Sequence, residues 1–314
     1  MTLVQLEYIL AIANYGSFVE AANSCHVTQP ALTTQVKNLE RELDIVIFDR
    51  TRKPIVPTEI GSQIINRAQE VVMMSKSIPD LVLEYNADVK GDLKLGIIPT
   101  VSSYLVPKFI NRFNKYHPDI NVNVQEEITE QVIARLKNGE LDAGIIATPV
   151  DTKGIVTIPL YYEKFYAYLA KSHPLFHQSS ISADDLVAED VWLLKEGNCF
   201  RDQVLNLCSP DLEEEFKGHF KYESHSIEAL KTIVNVKNGL TLVPELALTD
   251  QDREDQIVKP LSDTNPVREI SIVVNRQFLK KRLIDSLAET IKESMPEHML
   301  DAKKQEIIDP LVKV

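Results

Sequence analysis

Residues 93–146 alternate between short apolar segments and helical patterns, and this alternation restricts the possible folds more than any other feature. Repeated strand–helix–strand units form a parallel sheet with right-handed crossover connections. The residues that open the two helices, 100–103 and Thr129, should gather at the carboxyl ends of the strands, where open α/β sheets bind ligands. We therefore expect a site for a small polar or anionic group there. Strands are predicted at residues 93–98, 121–126 and 141–146.

The pattern restarts near Tyr162, which predicts a second α/β half. The last strand and helix of this half would rejoin the first half. The tail from Met295 to Val314 is charged and contains two prolines, so we expect it to be peripheral. Further strands are predicted at residues 165–169, 191–194, 239–244 and 270–274, and helices at 226–235 and 278–294.

Single residues locate the helix boundaries of the amino-terminal part. Apolar residues at helical spacing end at Gly16, which suits the C′ position of a helix. Ser17 and Glu20 form a capping box for a short second helix, and Thr28 caps a third helix that has Pro30 in its first turn. Two short helices joined by a tight turn form a helix-turn-helix. The buried stripe of the third helix is predicted at Leu32, Val36, Leu39 and Leu43.

The exposed face of the third helix, and the segment after it, are suited to contact DNA. Thr and Gln side chains can reach base edges, whereas Lys and a helix N-terminus bind phosphate. Two short strands around a basic tip, which ends in Lys53, predict a wing. The alternative is the solvated face of a helical bundle. The candidate DNA contacts are Thr28, Gln29, Pro30, Thr33, Thr34, Lys37, Arg50 and Arg52.

The charge of the chain limits how it could bind DNA. The formal net charge is −12, and residues 28–53 hold five basic and four acidic side chains, a net charge of only +1. Binding by bulk electrostatic attraction is therefore excluded. Affinity for DNA would have to come from the placement of individual side chains and from dimerisation.

The composition is that of a globular protein, with 44% hydrophobic and 25% charged residues among 314. No apolar run approaches the roughly 20 residues of a membrane span, and the start lacks the features of a signal peptide. A cytoplasmic protein without membrane contact is expected. Three cysteines are too few for a secreted disulfide scaffold, and none has the spacing of a zinc site. The sequence predicts neither a metal nor a cofactor.

Cys199 and Cys208 bracket a segment with the pattern of a short amphipathic helix. Nine helical residues rise about 13.5 Å and turn through roughly 900°, which places the two sulfurs on opposite faces. A disulfide needs Cα atoms within about 7 Å of each other. The two cysteines can therefore share a helix or bond to each other, but not both. The segment is either a redox switch or a helix with two unrelated cysteines.

Several motifs resemble the amino-terminal winged helix of LysR-type transcriptional regulators in their order and spacing. They are residues 21–22, 27–33, 36–40, 48–50 and 58–61. In that family a long helix that pairs two subunits follows, and this chain has the required apolar stripe at Ile60, Ile64, Ala68, Val71, Val72 and Ser75. Pro79 is expected to break or kink this helix near Ser77.

The resemblance implies a domain order. A winged helix-turn-helix DNA-binding domain would occupy residues 1–58, and a linker or dimerisation helix with a hinge residues 59–90. A two-lobed, periplasmic-binding-protein-like α/β effector domain would follow over residues 91–300. Its lobe I would comprise about 91–162 and 266–295 and its lobe II about 163–265, with a peripheral tail at 301–314.

Residues 194–203, followed by Cys208, resemble the redox segment of the peroxide-sensing members of this family, as do residues 96–101 and 104–107. The resemblance implies that Cys199 is the peroxidatic cysteine and Cys208 the resolving one. It also implies that two hydroxyls orient hydrogen peroxide and that an arginine lies near the thiolate. These residues are Thr100, Thr129 and Arg268.

Three expectations concern the chemistry around the sulfur. The helix start and Arg201 should lower the pKa of Cys199. A surface ion pair with Glu269 is the alternative role for Arg268. Asn198 departs from the family, which often has histidine there. An amide can hydrogen-bond peroxide but cannot exchange a proton near neutral pH.

Together these features predict a DNA-binding transcription factor that senses hydrogen peroxide through a reversible Cys199–Cys208 disulfide. It would act on promoter DNA as a dimer or a dimer of dimers, as an activator that contacts RNA polymerase. One alternative is a LysR-type regulator that binds a small metabolite between its lobes, with incidental cysteines. The other is a thiol peroxidase, although nothing in the sequence explains a winged helix on such an enzyme.

Overall fold

The computed structural model describes residues 1–85, 90–188, 191–208, 222–262, 266–276, 280–301 and 306–310. The chain forms two compact units, Met1–Asn86 and Ala87–Val314.

The amino-terminal unit is a winged helix-turn-helix followed by a long helix. The predicted caps are present: Gly16 has a φ of 60°, and the hydroxyls of Ser17 and Thr28 accept hydrogen bonds from the backbone amides of Glu20 and Ala31. Leu32, Val36 and Leu39 are buried as predicted, but Leu43 is exposed because its helix ends there. The elements are α1 Leu3–Tyr15, α2 Phe18–Ser24, α3 Gln29–Leu43, β1 Phe48–Asp49, β2 Val56–Pro57 and α4 Glu59–Tyr85.

Helix α4 continues through Pro79 to Tyr85, so the predicted break near Ser77 is wrong, whereas the predicted kink stays a prediction. Its start packs closely on the wing, where a Cβ on Gly61 would overlap the carbonyl oxygen of Ile47. One face is buried within the unit through Ile65, Ala68 and Val72. A second apolar face of α4 is exposed on this unit. It is formed by Ile60, Val71, Met74, Ile78, Leu81 and Val82.

The carboxyl-terminal unit is built on one mixed sheet with the strand order β4-β3-β5-β9-β6-β7. The three strands predicted first are parallel to one another, as expected from their crossovers. The strands are β3 Gly91–Ile97, β4 Ile120–Glu126, β5 Ala143–Thr148, β6 Ile155–Leu169, β7 Leu240–Pro244, β8 Val258–Pro260, β9 Pro266–Asn275 and β10 Glu306–Ile307. The helices are α5 Pro99–Tyr116, α6 Thr129–Lys137, α7 Ala183–Ala188, α8 Cys199–Cys208, α9 Ile227–Lys237, α10 Asp250–Glu254 and α11 Lys281–Glu293.

Two separate hydrophobic cores lie along this sheet, and the long strands β6 and β9 connect them. Strand β6 pairs antiparallel with β9 over residues 155–164 and then with β7 over residues 165–169. The first core contains Tyr161 and the second contains Phe165. We call the parts around these cores the first and the second lobe. The predicted strand at residues 191–194 is wrong: Val191 forms one bridge to Leu240, after which the chain leaves the sheet.

Residues 306–310 of the tail are not peripheral, in contrast to the expectation from the tail's charge. Strand β10 pairs in parallel with β9, and the amide of Ile308 donates to the carbonyl of Val267 at 2.9 Å. Two side chains of α8 hold the same segment: Gln203 Nε2 donates to the Ile308 carbonyl at 2.8 Å and Asn206 Nδ2 to the Asp309 carbonyl at 3.0 Å. The apolar Ile308 side chain packs in the second core. Residues 306–310 therefore clasp the cysteine-bearing helix.

Replacing Gln203 with alanine is expected to release residues 306–310, because the Ile308 carbonyl loses its buried donor. A buried group left without its partner costs about 1–3 kcal/mol. Limited proteolysis of the reduced protein, with mass spectrometry of the carboxyl-terminal fragments, measures the release. Asn206→Ala is the matched control, since its bond is exposed and its loss should change cleavage less. Cleavage of Gln203→Ala at the wild-type rate would contradict the clasp.

Candidate functional site

Helix α8 begins where the two lobes meet, and its first two residues belong to different cores. Cys199 is 4% exposed and packs with the first core, whereas Phe200 packs with the second and stacks on Phe165 with ring centroids 5.4 Å apart. The carbonyl of Asn198 accepts a hydrogen bond from the amide of Arg201 at 2.8 Å and starts the helix. Any change in the fold of α8 therefore acts on both cores.

A buried ion pair between Arg268 and Glu163 lies beside this junction. Arg268 is 1% exposed and Glu163 is fully buried, and the two residues are register partners on β9 and β6. Arg268 Nε donates to Glu163 Oε1 at 2.8 Å, and Arg268 Nη2 lies 2.7 Å from the same oxygen. The alternative of a surface ion pair with Glu269 is thus wrong.

The rest of the Arg268 guanidinium connects the two lobes at the thiol. Its Nη1 donates to Thr100 Oγ1 and its Nη2 to the Thr100 carbonyl, both at 3.0 Å. Its Cζ lies 4.9 Å from the centroid of the Phe200 ring. The positive charge of Arg268 also acts on the Cys199 sulfur, where it favours the thiolate.

The pKa of Cys199 is raised, not lowered as expected, because burial disfavours the charged thiolate more than its neighbours favour it. Contacts with Thr129, the charge of Arg268 and the backbone of Ala147 oppose this shift, while Asp202 adds to it. The nearby cation is therefore Arg268 and not Arg201, whose Nη1 donates to the carbonyl of Leu194 at 3.1 Å. The resting group is a neutral, free thiol.

Two buried hydroxyls complete the polar lining around the sulfur. Thr100 and Thr129 lie in the first turns of α5 and α6, where Ile98 and Ile128, not the threonines, are the N-cap residues. The Thr100 hydroxyl accepts from Arg268 and keeps its own proton for donation. The Thr129 hydroxyl faces the thiol but makes no hydrogen bond of standard geometry to the described residues. The arrangement suits a small uncharged molecule with both donors and acceptors.

Asn198, immediately before the cysteine, is buried with 3% exposure. Its Oδ1 accepts from the backbone amide of Phe200 at 3.4 Å, and its Nδ2 lies 3.5 Å from Nδ1 of His225.

A tyrosine–carboxylate contact joins the two lobes near the site. Tyr104 of α5 donates to Glu228 Oε1 of α9 at 2.9 Å. Burial and the neighbouring Glu228 both raise the pKa of Tyr104, so this hydroxyl stays a donor at neutral pH. The contact holds the second turn of α5 against the second lobe.

Cys208 is the last residue of α8, so the two cysteines do lie at opposite ends of one ten-residue helix. Its side chain lies outside the described part of the structure. The helical rise separates the two Cα atoms by about 13.5 Å, twice the limit for a disulfide. A bond between them requires α8 to unwind. Cys25 is half-buried and free.

Sequence reasoning missed Glu163, Tyr104, Glu228 and His225. Glu163 could have been found, because it is the lone acid of residues 160–169 and Arg268 is the lone base of residues 266–275. Opposite charges in two mostly apolar strands indicate a buried pair. Nothing in the local sequence marks the other three residues.

The face of α3 that is predicted to contact DNA is largely exposed. Thr28, Gln29, Pro30, Thr34 and Lys37 are exposed and Thr33 is half-buried. The Thr34 hydroxyl donates to the carbonyl of Pro30 at 2.8 Å, so it must rotate to read a base.

The basic side chains of the wing differ in their surroundings. Arg50 Nη2 contacts Glu40 Oε2 at 2.6 Å, and its Cζ lies 5.1 Å from the Phe18 ring centroid. This arginine therefore fixes the wing to α3. Arg52 is more available, with a 71% exposed side chain that lies 3.4 Å from Asp49. Lys53 is exposed at the tip.

Neither a metal site nor a membrane span is found in the described ranges. No group of three or more His, Cys, Asp or Glu side chains could hold a metal ion there. No helix among the described residues is long and apolar enough to cross a membrane.

Two family profiles match the chain and together cover most of it. The profile of the bacterial regulatory helix-turn-helix protein, lysR family, matches residues 3–62. The profile of the LysR substrate binding domain matches residues 86–296.

Individual relatives agree with these profiles. The chain is 30% identical over 308 residues to the DNA-binding transcriptional dual regulator OxyR of Escherichia coli, covering 98% of this chain and 100% of the relative. It is 29% identical over 294 residues to the HTH-type transcriptional regulator EstR of Acinetobacter baylyi, covering 93% and 96%. Among solved structures, a full-length OxyR variant from Pseudomonas aeruginosa matches with a TM-score of 0.72 and 33% identity, covering 93% and 98%.

The family contains transcription regulators rather than enzymes, so these matches exclude the thiol peroxidase. They also identify the helix-turn-helix as the part that binds DNA. The chain belongs to the LysR family of transcriptional regulators.

Proposed function

We propose that this LysR-type regulator senses hydrogen peroxide through Cys199 and transmits oxidation as a Cys199–Cys208 disulfide. The observation that carries the proposal is the buried Cys199 thiol beside the Arg268 guanidinium and the two hydroxyls of Thr100 and Thr129. The similarity to OxyR proteins over nearly the whole chain supports it. The buried Thr129 hydroxyl contacts the thiol and makes no standard hydrogen bond to the described residues, so it could bind a small polar ligand.

The reaction balances without a further reductant or cofactor. The sulfur attacks one peroxide oxygen as the O–O bond breaks, and the thiol proton ends on the leaving oxygen, which departs as water. Cys199 becomes a sulfenic acid, oxidised by two electrons. The Cys208 thiol then attacks this sulfur, the S–O bond breaks, and a second water leaves as the disulfide forms.

Disulfide formation would change the fold, because the cysteines start at opposite ends of α8. Unwinding the helix removes Phe200 from its stack on Phe165 and separates Gln203 and Asn206 from residues 306–310. These changes affect both lobes and both strands that connect them. We propose that they alter how subunits pair and therefore which DNA half-sites an oligomer contacts.

The oligomer itself belongs to the proposal. The exposed apolar face of α4 suits association of two copies, as dimers or dimers of dimers on promoter DNA. Activation would involve contact with RNA polymerase in the cytoplasm. DNA affinity would rest on the exposed residues of α3 together with Arg52, with Arg50 holding the wing in place.

Footprints on promoter DNA test the redox switch. The protected region should differ between reduced and peroxide-treated wild-type protein and stay in the reduced pattern in Cys199→Ser and Cys208→Ser. Cys25→Ser is the matched control and should switch like the wild type, since Cys25 lies outside the site. Identical footprints in every state would overturn the proposal and favour a regulator that binds a metabolite between its lobes.

Replacing Arg268 with lysine is expected to slow peroxide oxidation of Cys199 by about tenfold or more. A lysine ammonium lacks the planar set of donors with which the guanidinium binds Thr100 and Glu163 at the same time. Arg268 lowers the pKa of Cys199, so moving its charge should shift the midpoint of iodoacetamide alkylation to higher pH. Trapping of the free thiol measures both the rate of peroxide oxidation and the pH midpoint of alkylation. Arg112→Lys, at an exposed ion pair, is the control. An unchanged alkylation midpoint would remove Arg268 from the control of the thiol.

Lys37→Ala is expected to weaken DNA binding equally across sequences and to reduce the slope of log affinity against log salt by about one. Lysine at this exposed position of α3 suits a phosphate contact. Fluorescence anisotropy at several salt concentrations measures the slope. Lys115→Ala, exposed on α5, should leave the slope unchanged. A wild-type slope in Lys37→Ala would remove Lys37 from the phosphate contacts.

A further inference from the structure

The oxygen and the nitrogen of the Asn198 side-chain amide each contact a different residue. Its Oδ1 accepts from the Phe200 backbone amide at 3.4 Å, and its Nδ2 lies 3.5 Å from His225 Nδ1. Asn198 is buried and directly precedes Cys199. The orientation of this amide is therefore fixed from the first turn of α8 on one side and from the second lobe on the other.

The Asn198 amide has one N–H donor more than the bond to His225 uses. An asparagine amide has two N–H donors, and an imidazole nitrogen accepts only when it carries no proton. With Nδ1 of His225 as the acceptor, one Asn198 N–H is used, and the ring N–H is on Nε2. No acceptor for the second Asn198 N–H is found among the described residues, so it can serve a ligand at Cys199.

The segment that carries His225 is itself anchored. The carbonyl of Ser224 accepts from the amide of Lys195 at 2.9 Å, which ties this segment to the chain just before Asn198. On the other side, the Ser226 hydroxyl caps α9 by accepting from the amide of Ala229. His225 is half-buried between these two anchors. The imidazole therefore has a fixed place from which to orient the amide.

We propose that His225 is a positioning residue for peroxide reduction, a role that rests on the proposed sensing function. It holds the Asn198 amide so that the second N–H donates to the peroxide oxygen that leaves. As the sulfur forms its bond to the other oxygen and the O–O bond breaks, charge grows on the leaving oxygen, and this donor stabilises it. The thiol proton still completes the water. Asn198 and His225 together thus act where the family often has one histidine.

The test compares two reactions of the same thiol in the full-length reduced protein. Stopped-flow rates with hydrogen peroxide should fall about tenfold in His225→Ala, the value of one oriented hydrogen bond. Rates with iodoacetamide should stay at the wild-type value, since alkylation has no leaving oxygen to stabilise at this place. His225→Asn, which keeps an acceptor near the Nδ1 position, should recover most of the peroxide rate. His177→Ala, at an exposed histidine, is the control.

A double-mutant cycle separates positioning from a general structural effect. If His225 acts through Asn198, His225→Ala should have no further effect on the peroxide rate in the Asn198→Ala background. Equal falls in both reactions, additive effects in the cycle, or a wild-type peroxide rate in His225→Ala would each overturn the proposal. Failure of the sensing function looks different, because wild-type Cys199 would then react with peroxide no faster than free cysteine does.

Discussion

The Arg268–Glu163 ion pair is the interaction on which the candidate site depends. Both side chains are almost completely buried, and bringing two charges into a protein interior costs several kcal/mol for each unless they are paired and hydrogen-bonded. Here each of the three guanidinium nitrogens has an acceptor, Glu163 on one side and Thr100 on the other. The pair is built across the two strands that connect the lobes. It fixes the lobes, Thr100 and the charge near Cys199 in a single arrangement.

This arrangement accounts for a thiol that is both protected and placed to react. Burial raises the pKa of Cys199 and keeps it neutral, which slows its reaction with any electrophile that needs the thiolate. Arg268 and Thr129 act in the opposite direction, so these two groups offset part of the cost of forming the buried thiolate. In the proposed function, selectivity for a very small oxidant would follow from access and orientation rather than from a permanently reactive sulfur.

Much of the fold could be predicted, because helix caps and strand alternation are local. Gly16, Thr28 and the three parallel strands lie as the sequence indicates. The errors concern long-range effects. The direction of the Cys199 pKa depends on how deeply the first core buries it, and the role of Arg268 depends on a partner 105 residues away. Helix α4 continues through Pro79, and nothing in the described part of the structure explains why this proline does not end it.

The clasp between residues 306–310 and α8 makes the carboxyl terminus a sensitive part of the molecule. Gln203 and Asn206 bind the segment on the same helix that begins with Cys199. The helical form of α8 keeps these two hydrogen bonds and the unwound form cannot, so residues 306–310 add to the cost of unwinding. A substitution that weakens this segment would therefore lower the same cost without touching either cysteine.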